Sequence, residues 1–246
     1  MTVLVGKGAV VTGGSRGIGR AVVERLARDG ATVTFSFVQD ADAAGAVVRA
    51  VADAGGRAFA VRADQGNAVD VVTLFDDAER NSEGLDIVVN NASTVTVGLI
   101  ADTSDDDWDH VMTVNAKGTF RSIREAAVRL RDGGRIINIS SINTVMPGAG
   151  ISLYASSKAA VEQLTAVAAH ELGGRGITVN TVSPGATDTD MLRGANTTED
   201  LAAMPGMSPL GRLGQPADVA DVVAFLAGPD GRWMTGQNLR AGGGVR

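Results

Sequence analysis

The stretch that decides the fold is G-A-V-V-T-G-G-S-R-G-I-G, which runs from Gly8 to Gly19. Its short apolar run is typical of a buried strand, and the glycines after it are typical of a tight turn. Ile18, Val22 and Leu26 then recur at helical spacing. The sequence therefore predicts a strand, a glycine turn and an amphipathic helix in direct succession.

Three glycines in this turn are typical of a site that binds a pyrophosphate. Gly13 permits the reversal after the strand, Gly17 lets the backbone approach a pyrophosphate, and Gly19 allows close packing of the helix on the sheet. A helix that begins at Gly17 also directs free N–H groups and the positive end of its dipole at phosphates. We predict a dinucleotide-binding turn; the alternative is an ordinary connection between a strand and a helix.

The rest of the chain alternates short β-branched runs with helical patterns. We predict strands at 8–12, 32–37, 57–61, 86–90, 135–140, 177–182 and 238–240, and helices that begin near Gly17, Asp40, Ala68, Asp105, Ile151 and Pro216. Apolar strands separated by helices imply a parallel sheet covered on both faces. The prediction is an α/β fold: one Rossmann-type, doubly wound domain over residues 1–246, with a seven-stranded, mostly parallel sheet.

Composition excludes several classes of protein. The 246 residues include no cysteine, which excludes disulfides, thiolate zinc sites and cysteine nucleophiles, and only two histidines, His110 and His170. We therefore expect no metal site. A net charge of −6 argues against nucleic-acid binding. No basic leader and no long apolar stretch is visible, so we expect no membrane partner and a cytoplasmic location.

Residues 183–215 form the irregular part of the sequence, rich in Gly, Pro, Thr and Met. Long connections in compact domains tend to be lids or binding segments, so we predict a substrate lid at about 186–213. A disordered surface insertion is the alternative.

The end of the second strand bears on the cofactor. An acid about 20 residues after the glycines would mark NAD, but T-F-S-F-V (34–38) has none, and Asp40 is placed beyond the strand. Arg16, inside the glycine turn, can pair with a 2′-phosphate. We therefore predict NADP(H) in preference to NAD(H), with a solvated Arg16 as the alternative.

Tyr154 and Lys158 carry the catalytic prediction. They are four residues apart on a predicted helix, so both project from one face. A phenol is a weak base at neutral pH, and we expect the lysine ammonium and an oxidised nicotinamide ring to lower its pKa. Tyr154 can then donate a proton to a carbonyl oxygen, which Ser141 can hydrogen-bond. A core tyrosine with a satisfied hydroxyl is the alternative, but this is the only tyrosine in the chain.

Over nearly its whole length the chain resembles the single-domain short-chain dehydrogenase/reductase family. The motif T-G-x-x-x-G-x-G is matched by Thr12, Gly13, Gly17 and Gly19, N-N-A-G by N-N-A-S (90–93), and P-G-x-x-x-T by Pro184, Gly185 and Thr189. The resemblance implies a catalytic tetrad of Asn115, Ser141, Tyr154 and Lys158, in which Asn115 holds a water of the proton relay. It also places Asp64 against the adenine, Lys158 on the nicotinamide ribose and the P-G-x-x-x-T stretch on the carboxamide. The predicted cofactor contacts are Gly13, Ser15, Arg16, Gly17, Ile18, Gly19, Ser36, Asp64, Asn91, Ala92, Tyr154, Lys158, Pro184, Gly185 and Thr189.

Two positions depart from the family pattern. Ser93 replaces the last glycine of N-N-A-G, which predicts a slight displacement of the backbone from the cofactor. Gly8 lies inside the first strand, where we expect it to cost a little stability.

The substrate is less sharply indicated. The segments S-R-G-I-G, N-A-K-G-T-F and S-P-L-G-R-L-G-Q-P resemble 3-oxoacyl-[acyl-carrier-protein] reductases, which dock an acidic carrier on a basic patch. Arg121, Arg124, Arg129 and Arg131 crowd one helix here, although such a face is more often only solvated. The connection at 130–134 resembles polyketide and naphthol-type ketone reductases instead.

We expect reduction of a ketone, a 3-oxoacyl thioester or similar carbonyl, to a secondary alcohol with NADPH. Another small ketone, polyketide or alcohol is the first alternative, and a non-catalytic NADP(H) sensor is the second. Small residues crowd the helix at 151–172, and the resemblance implies a homotetramer or homodimer built on it and on residues 105–131. A monomer is the remaining alternative.

Overall fold

The structure is a computed structural model that describes residues 3–245. Its strands are β1 (Gly8–Val11), β2 (Thr32–Phe37), β3 (Arg57–Arg62), β4 (Leu85–Asn90), β5 (Leu130–Ile139), β6 (Thr178–Pro184) and β7 (Asn238–Ala241). Its α-helices are α1 (Gly17–Arg28), α2 (Ala41–Asp53), α3 (Ala68–Asn81), α4 (Asp105–Val111), α5 (Gly118–Arg129), α6 (Ser152–Leu172), α7 (Asp190–Ala195), α8 (Thr198–Met207) and α9 (Pro216–Ala227). A π-helical segment, Met112–Lys117, joins α4 to α5.

The seven strands form one sheet in the order β3-β2-β1-β4-β5-β6-β7, and all six neighbouring pairs are parallel. The predicted α/β fold with a doubly wound parallel sheet is confirmed. The chain runs outward from β1 to β3 and then returns to place β4 on the other side of β1. Such a reversal opens a crevice at the carboxyl ends of the strands, where ligands bind in this class of fold.

Two hydrophobic clusters cover the two faces of the sheet. Val22, Leu26, Val47 and Val223 pack α1, α2 and α9 against one face. Leu74, Phe75, Ile123 and Leu172 pack α3, α5 and α6 against the other. Because side chains alternate along a strand, Val10 belongs to one cluster and Val11 to the other. Burial on both faces explains why the central strands are almost wholly apolar.

β5 begins five residues before the predicted start. Leu130 pairs with Leu85, and the register shifts before Arg135 joins the ladder. The buried carboxylate of Asp86 pairs with Arg131 here, accepts from Lys7 Nζ at 3.0 Å and accepts from the Gly8 N–H at 3.0 Å. This ion-pair network holds an otherwise polar stretch against the strand edge.

The packing around Gly8 leaves no room for a side chain. The expectation that a glycine at this position lowers the stability of the protein is therefore wrong, because any other residue would destabilise it more. A Cβ on Gly8 would lie 2.2 Å from the Gly84 carbonyl oxygen and 2.5 Å from Ser82 Oγ. We expect Gly8→Ala to lower the free energy of unfolding by about 2–3 kcal/mol, because β1 or the 82–84 turn must shift. Denaturant unfolding measures this. Gly174→Ala, where nothing lies within 4 Å of the new methyl group, is the matched control. An unchanged midpoint for Gly8→Ala would contradict the steric argument.

The segment at 186–213 contains two short helices rather than a structureless loop. Its base is closed by a bridge between Thr187 and Gly214 and by the bond from Gly214 N to Ala186 O at 2.9 Å. Thr189 caps α7, and Thr197 caps α8 in a capping box with Asp200. Neither helix contains a buried side chain. The role of this segment as a lid stays a prediction.

Within residues 3–245, no helix has both the length and the apolar character needed to cross a bilayer. The cytoplasmic location stays a prediction.

Candidate active site

A cleft of about 1420 Å³ opens at the carboxyl ends of the strands. It is lined by three of the four predicted catalytic residues, Ser141, Tyr154 and Lys158. Every predicted cofactor residue also lines it: Gly13, Ser15, Arg16, Gly17, Ile18, Gly19, Ser36, Asp64, Asn91, Ala92, Tyr154, Lys158, Pro184, Gly185 and Thr189. The fold therefore brings the two distant halves of the sequence prediction onto one wall.

The glycine turn has the conformation that its sequence predicts. Gly13 and Gly17 have φ values of 68° and 54°, a region that side chains disfavour. A Cβ on Gly19 would lie 2.0 Å from the Gly13 carbonyl oxygen, so only glycine allows α1 to approach the turn. The first turn of α1 contains no acidic residue, and Arg16 gives its N-terminus no side-chain cap. Its N–H groups are thus available to phosphate oxygens.

Thr12 holds the turn to the neighbouring strand, a role that the sequence analysis did not assign. Its hydroxyl oxygen accepts from the N–H groups of Asn91 at 2.9 Å and Ala92 at 3.0 Å. The Asn91 side chain donates in return to the carbonyls of Thr12 and Gly13, both at 3.0 Å. This exchange joins the loops after β1 and β4, the two strands between which the sheet order reverses.

The end of the cleft that is predicted to hold the adenosine lies beside β2. Ser36 is buried, and its hydroxyl accepts from the Gly13 N–H at 3.0 Å, so it supports the glycine turn from below. Asp40 is the N-cap of α2, and its carboxylate accepts from the Ala43 N–H at 2.8 Å. The predicted placement of Asp40 beyond the strand is confirmed. Arg16 is exposed and lines the cleft.

Residues after β3 and β6 also line the part of the cleft that is predicted to hold the nucleotide. Asp64 is exposed, and its Oδ1 accepts from the Gly66 N–H at 2.8 Å. Thr189 caps α7 from a position beside the glycine turn, since a Cβ on Gly17 would lie 3.2 Å from its methyl group. The segment that leaves Pro184 and Gly185 therefore passes over the turn that is expected to hold the pyrophosphate.

Ser93 does not distort the loop after β4. No residue other than glycine has a positive φ in the described part of the chain, so the serine side chain fits there without backbone strain. The expected displacement of the backbone from the cofactor at Ser93 stays a prediction.

Tyr154, Ser141 and Lys158 meet at the centre of the cleft. Ser141 is the second residue after β5 and the N-cap of a short 3₁₀ turn, Ile142–Thr144. Tyr154 and Lys158 occupy successive turns of α6, and Lys158 Nζ lies 5.6 Å from the centre of the phenol ring. The buried ammonium donates to the Ile139 carbonyl at 2.9 Å, at the end of β5. The phenol therefore lies between a hydroxyl and an ammonium.

Burial dominates the electrostatics of these groups. It raises the pKa of Tyr154 above the ordinary value of 10.0, and the hydrogen bond to Ser141 opposes the shift only in part. It also lowers the pKa of Lys158 from 10.5 to about 8. In the chain alone the pKa of the phenol is therefore raised, and the lowering expected from Lys158 together with an oxidised nicotinamide ring stays a prediction. A weakened ammonium that is bonded to a carbonyl does too little to offset the loss of water around the phenol.

Asn115 lies behind the catalytic wall instead of lining the cleft. It sits in the π-helical segment, is 1% exposed, and exchanges hydrogen bonds with the backbone of Thr94 at 2.8 and 2.9 Å. Its amide also donates to Ser157 Oγ at 2.9 Å. A π-helical segment is frequently found at functional sites. Through Asn115, this segment between α4 and α5 is hydrogen-bonded to α6 and to the loop after β4.

The other half of the cleft is mostly apolar. Side chains from four segments line it: Val95, Val97, Met146, Pro147, Ile151, Met191, Leu192, Met204, Met207, Leu210 and Val245. The sequence analysis singled out none of these residues individually. The methionine content of residues 183–215 was the one available signal, because unbranched thioethers suit adaptable binding walls.

Comparison with known proteins agrees with the site. A family model described as enoyl-(acyl carrier protein) reductase matches residues 13–246. An uncharacterized oxidoreductase of Methylorubrum extorquens is 41% identical over the full length of both chains. A short-chain dehydrogenase of Burkholderia cenocepacia, solved in complex with NADP, is 43% identical, covers 99% of each chain and has a TM-score of 0.94. The angucycline C-6 ketoreductase LanV, solved with bound NADP, is 41% identical over 99% of this chain and 96% of its own, with a TM-score of 0.93. The chain therefore belongs to the single-domain short-chain dehydrogenase/reductase family and is an NAD(P)-dependent oxidoreductase.

Proposed function

We propose that the chain reduces a ketone to a secondary alcohol with NADPH. The observation that carries this proposal is the placement of Tyr154, Ser141 and Lys158 on one wall of the cleft that contains the glycine turn. The cradle fits a dinucleotide, because Gly13, Gly17 and Gly19 leave the space and α1 offers unoccupied N–H groups. NADPH supplies a hydride to the carbonyl carbon when it is bound there.

Three side chains bind the carbonyl oxygen of the substrate or transfer a proton to it. The Ser141 hydroxyl donates a hydrogen bond to the carbonyl oxygen and stabilises the negative charge that develops on it. The Tyr154 phenol donates its proton to the same oxygen, and its raised pKa keeps that proton in place at neutral pH. Lys158 lies one turn away and stabilises the resulting phenolate; the family resemblance also gives it the nicotinamide ribose.

The pH dependence should differ between the two directions. Reduction needs the protonated phenol, so a raised pKa predicts a rate that is flat between about pH 6 and 8 with respect to this group. Oxidation of the alcohol needs the phenolate, so its kcat/KM should rise about tenfold per pH unit over the same range, until the pKa in the complex is reached. Initial rates with NADPH and ketone, and with NADP⁺ and alcohol, measure both profiles. An oxidative profile that falls with rising pH would exclude Tyr154 as the proton-transferring group.

The substrate that fits best is a bulky, uncharged ketone. Apolar side chains, four of them methionines, dominate the walls beside Ser141 and Tyr154. The basic residues on the cleft wall are Arg16 at the proposed adenosine end, Lys158 at the centre, His110, and Arg212, which is paired with Asp218. An anionic substrate would therefore meet few free cations among the described residues. A named ketoreductase among the similar structures supports the same reaction type.

A substrate carried on an acidic protein is the second candidate, and the arginines of the α5 region disfavour it. Arg121 donates to the Gly66 carbonyl at 2.7 Å. Arg129 pairs with Asp76, Glu79 and Glu125. Arg131 pairs with Asp86. Acidic partners therefore neutralise two of the four arginines, Arg129 and Arg131, and this favours a free 3-oxoacyl thioester over a docked carrier protein.

The test is consumption of NADPH, followed by its absorbance, with a panel of bulky aromatic and alicyclic ketones, small ketones and 3-oxoacyl thioesters. We expect the highest kcat/KM among the bulky ketones. Tight NADPH binding without turnover of any compound would favour a non-catalytic sensor instead. Activity confined to carrier-bound thioesters would overturn the proposed substrate class.

We also propose that copies of the chain associate through α4, α5 and α6. Trp108, Phe120, Val128 and Val167 are 44%, 46%, 76% and 47% exposed on these helices. Apolar side chains so exposed favour burial against a second copy, and a closed dimer or tetramer would provide it. Light scattering at micromolar concentration tests this: a particle of 25.1 kDa would exclude assembly.

A further inference from the structure

Glu162 lies directly behind the catalytic residues. It follows Lys158 by one turn of α6, so Tyr154, Lys158 and Glu162 share one helix face. Its side chain is half-buried between α6 and the ends of β5 and β6. Neither the sequence analysis nor the proposed mechanism uses it.

One carboxylate oxygen of Glu162 accepts hydrogen bonds from three hydroxyl groups. Oε1 accepts from Ser140 Oγ at 2.7 Å, from Thr144 Oγ1 at 2.8 Å and from Ser183 Oγ at 3.3 Å. Ser140 immediately precedes Ser141, and Thr144 ends the 3₁₀ turn that begins after it. Bonds to a charged acceptor are roughly twice as strong as neutral ones. Segment 140–144 is therefore fastened to α6 on both sides of Ser141.

Each hydroxyl has a single proton and a competing acceptor. Ser140 Oγ also lies 3.2 Å from the Lys158 carbonyl, and Thr144 Oγ1 lies 3.0 Å from the Ser141 carbonyl. In both cases the carboxylate is the nearer acceptor. Ser183 is the exception, since Asn238 Oδ1 at 2.7 Å is nearer than Glu162. Ser140 and Thr144 are thus the two contacts that Glu162 controls.

We infer that Glu162 is a positioning residue for the reaction, because its carboxylate fixes segment 140–144 on α6 and so sets the Ser141 hydroxyl against the Tyr154 phenol. The inference rests on the proposed function. Without this anchor the two hydroxyls turn to their backbone acceptors, and Ser141 is held by the chain alone. Small displacements of a group that stabilises a transition state are costly, whereas the glycine turn is held by other residues, Ser36 and Asn91.

The test compares Glu162→Ala and Glu162→Gln in turnover of the best ketone of the panel. We expect Glu162→Ala to lower kcat by about tenfold to a hundredfold, with the KM for NADPH within about twofold. Glu162→Gln keeps an oxygen acceptor and should recover most of kcat, whereas Glu162→Met, which keeps the side-chain volume without an oxygen acceptor, should not. Gln163→Ala, at the exposed neighbouring position, is the matched control and should retain full activity.

A double-mutant cycle with Thr144→Val identifies the path of the effect. If Glu162 acts through Thr144, the double variant Glu162→Ala/Thr144→Val should lose less than the product of the two single losses. Where Glu162→Ala fails to fold, Thr144→Val and Ser140→Ala test the same contacts, each with an expected loss of severalfold in kcat. Turnover by the unmodified chain together with unchanged kcat in these variants would overturn the inference alone. Absence of turnover in the unmodified chain would overturn the proposed function along with it.

Discussion

The Tyr154→Phe variant is expected to lose about a thousandfold in kcat for ketone reduction, because general acid catalysis by a positioned side chain contributes about 10²–10⁴. The substitution removes one oxygen atom and keeps the ring, which stays packed beside Lys158. No other phenol can substitute, since Tyr154 is the only tyrosine in the chain. Stopped-flow or steady-state oxidation of NADPH measures the loss.

A measurement of cofactor binding shows whether Tyr154→Phe loses activity because the proton donor is gone or because the site is disrupted. NADPH fluorescence titration should give a Kd within about threefold of that of the unmodified chain, because the glycine turn lies on another element. Ser156→Ala changes an exposed residue of the same helix and should leave both kcat and Kd unchanged. A Tyr154→Phe variant that kept more than a tenth of its kcat would remove the phenol from the mechanism.

The sequence predicts this site well because its signals are local and chemically distinctive. Gly13, Gly17 and Gly19 occupy positions that exclude a side chain, so their spacing reflects backbone geometry directly. Tyr154 and Lys158 meet through helical periodicity alone. Their meeting with the glycine turn depends on the order of the strands, which the alternation of strands and helices and the family resemblance were enough to predict.

Features that depend on contacts between distant segments were not predicted. From the sequence alone Gly8 is expected only to weaken a strand. The structure shows that the Gly84 carbonyl lies against it and leaves no room for a side chain. The early start of β5 depends on the Asp86 carboxylate, 45 residues from Arg131 along the chain. The pKa of Tyr154 reflects how much water the fold removes, and spacing to Lys158 carries no information on that. The role inferred for Glu162 depends on contacts between α6, segment 140–144 and Ser183 of β6, which are far apart in the sequence.

Cofactor preference is the property for which a single side chain is expected to matter most. We expect Arg16→Ala to lower kcat/KM with NADPH by about 10–150-fold, since a hydrogen-bonded charge contributes about 1.5–3 kcal/mol, and to leave kcat/KM with NADH within about threefold. Arg16 is exposed at the rim of the cleft beside the end of β2. The nearest acid along the chain after β2, Asp40, lies beyond the end of the strand and caps α2 through Oδ1.

Arg20 supplies the matched control for this experiment. It is an exposed arginine one turn further along α1, and its guanidinium is paired with Glu24 at 2.7 Å. Arg20→Ala should therefore leave the ratio of kcat/KM values for NADPH and NADH unchanged. An equal loss with both cofactors in Arg16→Ala would mean that Arg16 supports the turn, because a group that contacts only the 2′-phosphate cannot affect a cofactor that lacks it. The ratio of the two losses thus separates recognition of the phosphate from support of the glycine turn.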